Sequence, residues 1–243
     1  MIRGQRMIEK VYTHVGDLSS DFRNRNLNNL VASNFYGKTL LDIGCGAGHL
    51  VNLARKNDML ALGLEPNKNL ISLAKKIYGD DISILNMNAE QAKSLRRKFD
   101  TIVLIDVLEH LENDTSILKT INKLLNKNGR IILVVPAYQL LYGNRDKKIG
   151  HYRRYSKKDL IIKLTNNGFK IIKIRYWNIL GFFPYFIFEK ILKRNLLTEF
   201  RENKNNNIGI QIVKSSLNFW FKHFENNINF RFGLSLIVTV EKE

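Results

Sequence analysis

Short apolar runs alternate with helix-like stretches through the first 136 residues, and this alternation leaves the chain few possible folds. Each run is nearly continuous in apolar residues and is bounded by Gly, Asp or Pro, as in strands that are buried on both faces. Alternating strands and helices predict βαβ units and a doubly wound, mostly parallel sheet. The expected strands are 39–44, 59–65, 82–87, 99–106 and 129–136, and the expected helices are about 48–57, 67–78, 90–98 and 113–127.

The second half of the chain continues the pattern after a loop that follows Pro136. Ser156 is expected to cap a helix over 156–167, which ends at Gly168. Two further strands are predicted at 169–177 and 233–242, both with the alternation of a half-buried strand.

The chain of 243 residues has the length of one elaborated α/β domain, so we expect a single domain over 1–243. Its core is expected to comprise 38–177 and 233–242. Residues 7–36 are expected to form a helical segment before the first strand. Residues 178–232, called the insert below, form a long helical and apolar excursion before the last strand.

Charge is concentrated toward the C-terminus. The net charge is +17, and residues 137–243 hold 20 Lys and Arg against 8 Asp and Glu. Such a basic half indicates an anionic partner (nucleic acid, a membrane surface or a phosphorylated substrate) or a lysine-rich composition that only keeps the protein soluble. Cys45 is the only cysteine, which excludes an internal disulfide and a cysteine-rich metal site. No secretory signal or membrane-spanning run is expected.

The stretch "LLDIGCGAGHL" over 40–50 contains a glycine loop, Gly44–Gly48, directly after the first strand. Its G-x-G-x-G spacing differs from the dinucleotide pattern G-x-G-x-x-G. Asp42 precedes the loop, and a carboxylate there is unfavourable beside an anionic pyrophosphate. The combination favours a ligand with an amino group or a sulfonium, which the glycine backbone can approach closely.

Further polar positions follow the next strands. Glu65, in "LGLEP", has the position of an acid that accepts hydrogen bonds from two ribose hydroxyls. Asn88 or Glu90, in "NMNAEQ", can accept from an adenine amino group. Polar residues also cluster at the end of "FDTIVLIDVLEHL" over 99–111. All these positions belong to the carboxyl ends of strands, where open α/β sheets bind ligands.

In combination these motifs resemble the class I S-adenosylmethionine (SAM)-dependent methyltransferases of the small-molecule type, over residues 38–176 and 233–242. The resemblance implies a Rossmann-like sheet of seven strands, mostly parallel, whose last strand is antiparallel. It also implies SAM as the cofactor and S-adenosylhomocysteine (SAH) as the product.

The resemblance further implies roles by position. Asp42 and the glycine loop face the methionine part, and Glu65 holds the ribose. Asn88, which stands where the family often has Asp, holds the adenine edge with Ala89. The expected cofactor-binding residues are Asp42, Gly44, Cys45, Gly46, Gly48, Glu65, Pro66, Asn88, Ala89, Ile105 and Asp106.

Two kinds of nucleic-acid methylation are disfavoured. Methylation of a base carbon through a covalent adduct needs a cysteine nucleophile, and Cys45 lies inside the glycine loop. Methylation of base amino groups goes, in the family, with an Asn/Asp-Pro-Pro-aromatic motif after the fourth strand. This chain has "DVLEH" there, a pattern common in small-molecule O-methyltransferases.

Asp106, Glu109 and His110 form a candidate metal cluster. Related quinone-biosynthesis O-methyltransferases carry Glu-x-x-Glu-His at this place and bind a divalent metal, and Asp106 stands where they have the first Glu. In the alternative, Glu109 and His110 only cap and orient the helix that follows. No bound metal is expected, and the alternative is a metal held by Asp106, Glu109 and His110. His110 is also a secondary candidate for the catalytic base.

The stretch "GHYRRYSKKDL" over 150–160 contains the primary candidate base, His151, because imidazole titrates near neutral pH. Similar methyltransferases often carry a His-x-Arg-x-Tyr-like element here as one wall of the substrate site. Arg153 is expected to hold an anionic group, and Tyr152 and Tyr155 are expected to stack on the substrate. These residues can alternatively form only a helix-entry loop.

The insert is rich in aromatic residues interleaved with lysine, notably in "IVKSSLNFWFKHF" over 212–224. A basic amphipathic helix of this kind indicates either a lid over a hydrophobic substrate or a segment that lies on an anionic membrane surface. Both alternatives favour a lipid or lipid-linked acceptor.

The sequence therefore predicts SAM-dependent methylation, at oxygen, of a small molecule, a lipid or a lipid-linked glycan. The enzyme is expected in the cytoplasm, either free or bound peripherally at the membrane. One alternative is an RNA methyltransferase that uses the basic C-terminal half, although no RNA-binding motif is present. Another is a SAM-binding protein without catalytic activity.

Overall fold

The computed structural model describes residues 21–192 and 208–243, which build a seven-stranded sheet flanked by helices. The strands are β1 Thr39–Ile43, β2 Leu60–Leu64, β3 Ile84–Leu85, β4 Phe99–Ile105, β5 Leu125–Pro136, β6 Phe169–Trp177 and β7 Ser235–Lys242. They pair in the order β3-β2-β1-β4-β5-β7-β6. Strands β1 to β5 pair in parallel, and β7 runs antiparallel to both β5 and β6. This arrangement confirms the predicted fold class.

Eight α-helices lie within the described residues. They are α1 Phe22–Ala32, α2 His49–Arg55, α3 Lys68–Tyr78, α4 Asp114–Leu124, α5 Asn144–Ile149, α6 Lys157–Thr165, α7 Ile179–Tyr185 and α8 Ile208–Trp220. Side-chain caps fix where several of them begin. The predicted cap of α6 is confirmed, because the Ser156 hydroxyl accepts a hydrogen bond from the Asp159 N–H at 3.1 Å.

The alternating residues of the central strands separate two apolar layers. Leu41 and Ile43 of β1 pack on one face with residues of α4 and α6. Leu40 packs on the other face with residues of α1 and α2. The strands are thus buried on both sides, which explains why their sequences are nearly continuous in apolar residues.

Several boundaries differ from those that the sequence predicts. Strand β3 has two residues instead of 82–87, because it is an edge strand that pairs only with β2. The segment expected as a helix over 90–98 is a 3₁₀ helix, Ala89–Ser94, which Asn88 and Gln91 begin with a capping box. Strand β5 already begins at Leu125, with an irregular register opposite Phe99–Thr101.

The segments after β5 and before β1 are helical in the structure. Helix α5 follows β5 where the sequence predicts only a loop, since its polar residues show no apolar periodicity. Of the helical segment expected over 7–36, the part from Phe22 to Ala32 is confirmed as α1, and residues 7–20 lie outside the described residues.

The insert is described over 178–192 and 208–232. Helices α7 and α8 each continue into a π-helical turn, Phe186–Ile191 and Phe221–Glu225. No helix in the described part of the chain is long and apolar enough to cross a membrane.

A buried polar joint fixes the base of the insert to the end of β6. Glu225 is fully buried and accepts hydrogen bonds from the N–H of Asn178 at 2.7 Å and from Trp220 Nε1 at 3.2 Å. The buried Arg175 guanidinium donates to the backbone carbonyls of Asn226 at 2.7 Å and Ile228 at 2.6 Å. The described part of the insert is therefore anchored by specific contacts at the sheet.

Candidate active site

The glycine loop connects β1 to α2 at the carboxyl end of the parallel strands. Gly44, Gly46 and Gly48 have φ angles of +76°, +54° and +76°, in the left-handed region that favours glycine. A Cβ at Gly44 would lie 2.5 Å from Cγ2 of Val107, and one at Gly48 would lie 2.8 Å from Cδ1 of Ile82. The glycines therefore let the loop close tightly, and Gly44 contacts the segment that follows β4.

Glu65 is tied to this loop by hydrogen bonds. It is buried, and its Oε2 accepts from the N–H of Gly46 at 2.9 Å while Oε1 accepts from the N–H of Asn67 at 2.8 Å. Burial raises the pKa of Glu65, although these two hydrogen bonds act in the opposite direction. Each carboxylate oxygen keeps a lone pair with which it can accept a ribose hydroxyl.

Asp42 lies in β1 with a 3% exposed side chain. Burial, reinforced by the nearby charge of Glu65, raises the pKa of Asp42 to about 7. Within residues 21–192 and 208–243 no hydrogen bond reaches its carboxylate. A buried carboxylate of this kind fits a ligand that brings positive charge, such as the ammonium and sulfonium of SAM, since a cation would stabilise its ionised form.

The predicted adenine side is built around Asn88. Its side-chain oxygen accepts from the N–H of Gln91 at 2.9 Å, so it also serves as a helix cap. Ala89 is buried behind it. Asn86, which sequence reasoning missed, donates through Nδ2 to the backbone oxygen of Pro66 at 2.8 Å. These bonds join the ends of β2 and β3 next to Glu65.

Of three more predicted cofactor residues, Ile105 and Asp106 lie at the end of β4 and Cys45 lies inside the loop. Asp106 has a φ of +51°, an uncommon conformation for aspartate that turns the chain sharply after β4. Ile105, just before it, is half-buried against the layer that contains α1 and α2. Cys45 is buried, and burial together with the charges of Asp42 and Glu65 raises its pKa, which favours the inert thiol.

Three ionisable side chains, Glu109, His110 and His151, meet in what we call the acceptor-side cluster. Glu109 is fully buried, and neither of its carboxylate oxygens has a hydrogen-bond partner in the described structure. The rings of His110 and His151 meet edge to face with centroids 4.5 Å apart. Nε2 of His151 lies 3.8 Å from Oε1 of Glu109. Glu109 follows Val107, the residue that packs against Gly44, by two positions, so the cluster begins in the segment that contacts the glycine loop.

Burial shifts the pKa values of Glu109 and His110 in this cluster. It raises the pKa of Glu109 well above its usual range, and the nearby charge of Asp106 adds to the effect. Burial, reinforced by His151, lowers the pKa of His110 to about 4. His110 is therefore neutral at pH 7, and the protonated form of Glu109 is favoured.

The cluster also has the composition of a metal site. One ligand atom from each of Glu109, His110 and His151 lies within 4.8 Å of the others. Carboxylate and imidazole are ligands of divalent transition metals, provided that Glu109 is ionised. The candidate metal cluster predicted from sequence contains Asp106, Glu109 and His110. In the structure, the third residue beside Glu109 and His110 is His151. The expectation that the protein needs no metal stays a prediction.

A buried carboxylate that sequence reasoning missed holds His151 in place. Asp146 Oδ1 is 3.0 Å from Nδ1 of His151 and accepts from Nε of Arg154 at 2.9 Å, while Oδ2 accepts from the N–H of Gly143 at 2.9 Å. Burial alone would raise the pKa of Asp146, but the bonds from His151 and Arg154 outweigh it and lower the pKa. In the neutral form of the imidazole, an ionised Asp146 favours the tautomer in which Nδ1 of His151 donates and Nε2 carries the lone pair.

The predicted substrate residues differ from one another in exposure and in their contacts. Tyr152 is about half exposed, at 52%. Tyr155 is buried and donates its hydroxyl to Asp114 at 2.9 Å, and Nη1 of Arg153 lies 3.0 Å from the same carboxylate. Tyr155 and Arg153 thus fasten the loop to α4, which favours a structural role. Their contact with an acceptor stays a prediction.

Comparison with protein families supports the chemistry that these residues indicate. The family described as "Methyltransferase domain" matches residues 16–174, well over half of the chain. The matched region includes the glycine loop, Glu65, Asn88 and the acceptor-side cluster.

Curated relatives match over part of the chain. The mitochondrial ubiquinone biosynthesis O-methyltransferase of Schizosaccharomyces pombe is 29% identical over 53% of this chain and 46% of its own length. The tRNA U34 carboxymethyltransferase of Syntrophotalea carbinolica is 30% identical over 50% of this chain and 38% of its own length. The chain thus matches less than half the length of these relatives.

Among solved structures, the magnesium protoporphyrin IX methyltransferase of Synechocystis PCC 6803, determined with bound SAH, superimposes with a TM-score of 0.59. The alignment covers 98% of this chain and 94% of that one at 17% identity. At this level of identity the similarity shows a shared fold.

Proposed function

Since the chain belongs to the class I SAM-dependent methyltransferases, we propose that it methylates an oxygen of a small-molecule, lipid or lipid-linked glycan acceptor. The observation that carries this proposal is the pairing of His151 with Asp146, at 3.0 Å. It provides a fixed imidazole beside the segment that contacts the glycine loop. A hydroxyl acceptor is the group that such a base would deprotonate.

SAM supplies an electrophilic methyl group on a sulfonium and leaves as SAH. On the protein side, the Asp42 carboxylate would offset the positive charge of the methionine part. Glu65 would accept hydrogen bonds from the ribose, and Asn88 with Ala89 would contact the adenine edge. The glycine loop would bring its backbone against the ligand without side chains in the way.

His151 is the preferred base, for a geometric reason. Asp146 accepts a hydrogen bond from the Nδ1–H group of His151. Nε2 of the same ring is then the atom that takes the proton of the acceptor hydroxyl. His110 is the second candidate, but its low pKa, about 4, makes it a weaker base. Most of the acceleration is expected from the alignment of the hydroxyl with the methyl group, and the base adds to it.

The test measures transfer of labelled methyl groups from SAM into separate lipid, glycan and RNA extracts. His151→Ala should lower turnover by about 10²- to 10⁴-fold, while calorimetry shows SAM affinity within about twofold of the wild type. Asp146→Asn should lower turnover less and shift its pH profile. His223→Ala, which changes an exposed histidine of the insert, is the matched control. Unchanged turnover in His151→Ala would refute the assignment.

RNA methylation is the second candidate function. It is favoured by the excess of 20 Lys and Arg over 8 Asp and Glu in residues 137–243 and by the similarity to a tRNA-modifying enzyme. Label that enters the RNA extract and not the lipid or glycan extract would establish this function in place of the first.

We also propose that residues 1–243 act as one domain and that the enzyme works in the cytoplasm, peripherally at a membrane. The joint of Glu225 and Arg175, which fixes the insert to the sheet, supports the single domain. The apolar composition of the insert supports the peripheral association.

A further inference from the structure

The large apolar side chains that face solvent are concentrated in the insert. In α7 and its extension, Phe183 and Ile191 are 57% and 61% exposed, and in α8 Ile212 and Phe219 are 61% and 57% exposed. Soluble surfaces carry single exposed apolar residues, whereas contiguous groups mark interaction sites. The insert's apolar surface comprises Phe183, Phe186, Ile187, Ile191, Leu192, Ile212, Val213, Phe219, Phe224 and Ile228.

Ring contacts connect the parts of this surface. Phe183 meets Phe232 with ring centroids 5.6 Å apart, and Trp220 stacks on Phe230 at 6.2 Å. The segment after α8 thereby bridges to α7. Phe182, next to Phe183, also meets Tyr138 at 5.6 Å, and Tyr138 follows the end of β5. The insert therefore contacts the carboxyl edge of the sheet through Phe182 and Tyr138.

The charges around α8 have one sign. Among the described residues 208–234, the exposed charged side chains are Lys214, Lys222 and Arg231. The single acid of this segment, Glu225, is fully buried in the polar joint. On the α8 side, an apolar surface accompanied by exposed basic side chains is complementary to an anionic lipid bilayer, because lysine can reach phosphate groups while the apolar side chains enter the acyl boundary.

The aliphatic members distinguish a bilayer from RNA. Ile187, Ile191, Leu192, Ile212 and Val213 have no ring on which a base could stack. Such side chains partition favourably into lipid. The basic side chains Lys214, Lys222 and Arg231 also disfavour a second copy of the chain against α8, since like charges would meet there.

We propose that α7, α8 and their π-helical extensions lie on an anionic membrane surface, with the insert's apolar surface buried at the acyl boundary and Lys214 and Lys222 at the headgroups. The contact of Phe182 with Tyr138 would then hold the carboxyl edge of the sheet near the bilayer. This association requires neither SAM nor an acceptor, so it does not depend on the proposed methylation.

The test is flotation of the purified full-length protein with vesicles of phosphatidylcholine alone or with added phosphatidylglycerol. We expect binding to the anionic vesicles that weakens with salt. Ile212→Ser with Val213→Ser should reduce binding at least tenfold. Lys214→Gln and Lys222→Gln should each reduce it about fivefold. The matched control, Leu60→Ser with Ile162→Ser, removes two exposed aliphatic side chains elsewhere and should bind like the wild type.

Several outcomes would overturn the proposal. One is equal binding of the wild type and the Ile212/Val213 variant. Another is tighter binding to RNA than to anionic vesicles at physiological salt, which would identify a nucleic-acid surface. A dimer in sedimentation that the same variant dissociates would identify a second copy as the partner. Gly46→Val, expected to lose SAM binding, should still float, which separates this result from the proposed function.

Discussion

Asp42 and Asp146 are both buried aspartates, with 3% and 0% of their surfaces exposed. Burial acts to raise the pKa of each one. For Asp42 the charge of Glu65 adds to burial, and the pKa reaches about 7. For Asp146, bonds from His151 and Arg154 outweigh burial, and the pKa falls below its usual range. The same residue type in similar burial thus has opposite titration behaviour.

The difference lies in where the compensating charge comes from. Arg154, Gly143 and His151 supply Asp146 with donors from the chain itself, so its ionised form is stable in the folded protein. Among the described residues, the one charge that shifts the pKa of Asp42 is that of another acid, Glu65. A cationic ligand would stabilise the ionised form of Asp42. We infer that Asp146 is a structural anion that orients a base, whereas Asp42 is a binding residue that the fold maintains at a cost in stability.

The largest effect is expected for Asp146→Ala, which leaves the buried Arg154 guanidinium without its carboxylate. Breaking one partner of a buried ion pair typically costs about 3–5 kcal/mol of unfolding free energy. Urea denaturation of the variant and the wild type at pH 7 measures the loss. Asp146→Asn keeps an oxygen acceptor and should cost clearly less. A loss under about 1 kcal/mol would mean that Arg154 is compensated in another way.

Asp42→Asn should instead increase the free energy of unfolding. A rise in pKa from 3.8 to about 7 corresponds to a penalty of about 4 kcal/mol for the ionised group in the unliganded fold at pH above 7. Because the amide must also be buried, we expect a net gain of about 1–2 kcal/mol. Urea denaturation without ligand at pH 8 measures it, and a loss of stability would contradict the comparison.

The pH dependence of stability sharpens this prediction. In the pH range from about 4 to about 7 the folded protein holds the Asp42 proton and the unfolded chain has released it, so wild-type stability falls as pH rises. This decline should be weaker in Asp42→Asn. Asp146, with its lowered pKa, contributes stability at neutral pH that is lost only in more acidic solution.

The smallest effect is expected for Tyr185→Phe. The Tyr185 hydroxyl accepts from Arg154 and lies 3.4 Å from Oδ2 of Asp146, at the contact between α7 and the Asp146 network. Loss of a buried hydroxyl in such a network costs about 1 kcal/mol. The melting temperature should fall slightly while SAM affinity stays the same. A large drop in SAM affinity would show that the two regions are coupled.

The region of Asp42 was accessible from sequence because its signals are local. The strand, the three glycines and Glu65 lie in contiguous motifs whose order along the chain matches their order in space. The same local rules identified the Ser156 cap and the seven strands. The same rules predicted the length of β3 poorly, because this edge strand comprises only Ile84–Leu85.

The region of Asp146 was not accessible in this way. Its partners His151, Arg154 and Tyr185 are five, eight and 39 residues away, and they converge only after the loop beyond β5 has folded. Helix α5, which carries Asp146, is too short and too polar to show helical periodicity. The sequence therefore indicated His151 as a candidate base but not the carboxylate that holds it.

The most direct measurement of the role of Asp42 is calorimetry of SAM binding between pH 5.5 and 7.5, in two buffers with different ionisation enthalpies. A cationic ligand should displace the Asp42 proton, so affinity should rise up to about tenfold per pH unit below the pKa of about 7, with close to one proton released at the acid end. Asp42→Asn, measured in parallel, should bind SAM much more weakly and release no such proton. SAM affinity that is independent of pH in the wild type, or unchanged in Asp42→Asn, would contradict the role of Asp42 as the carboxylate that binds the cationic part of SAM.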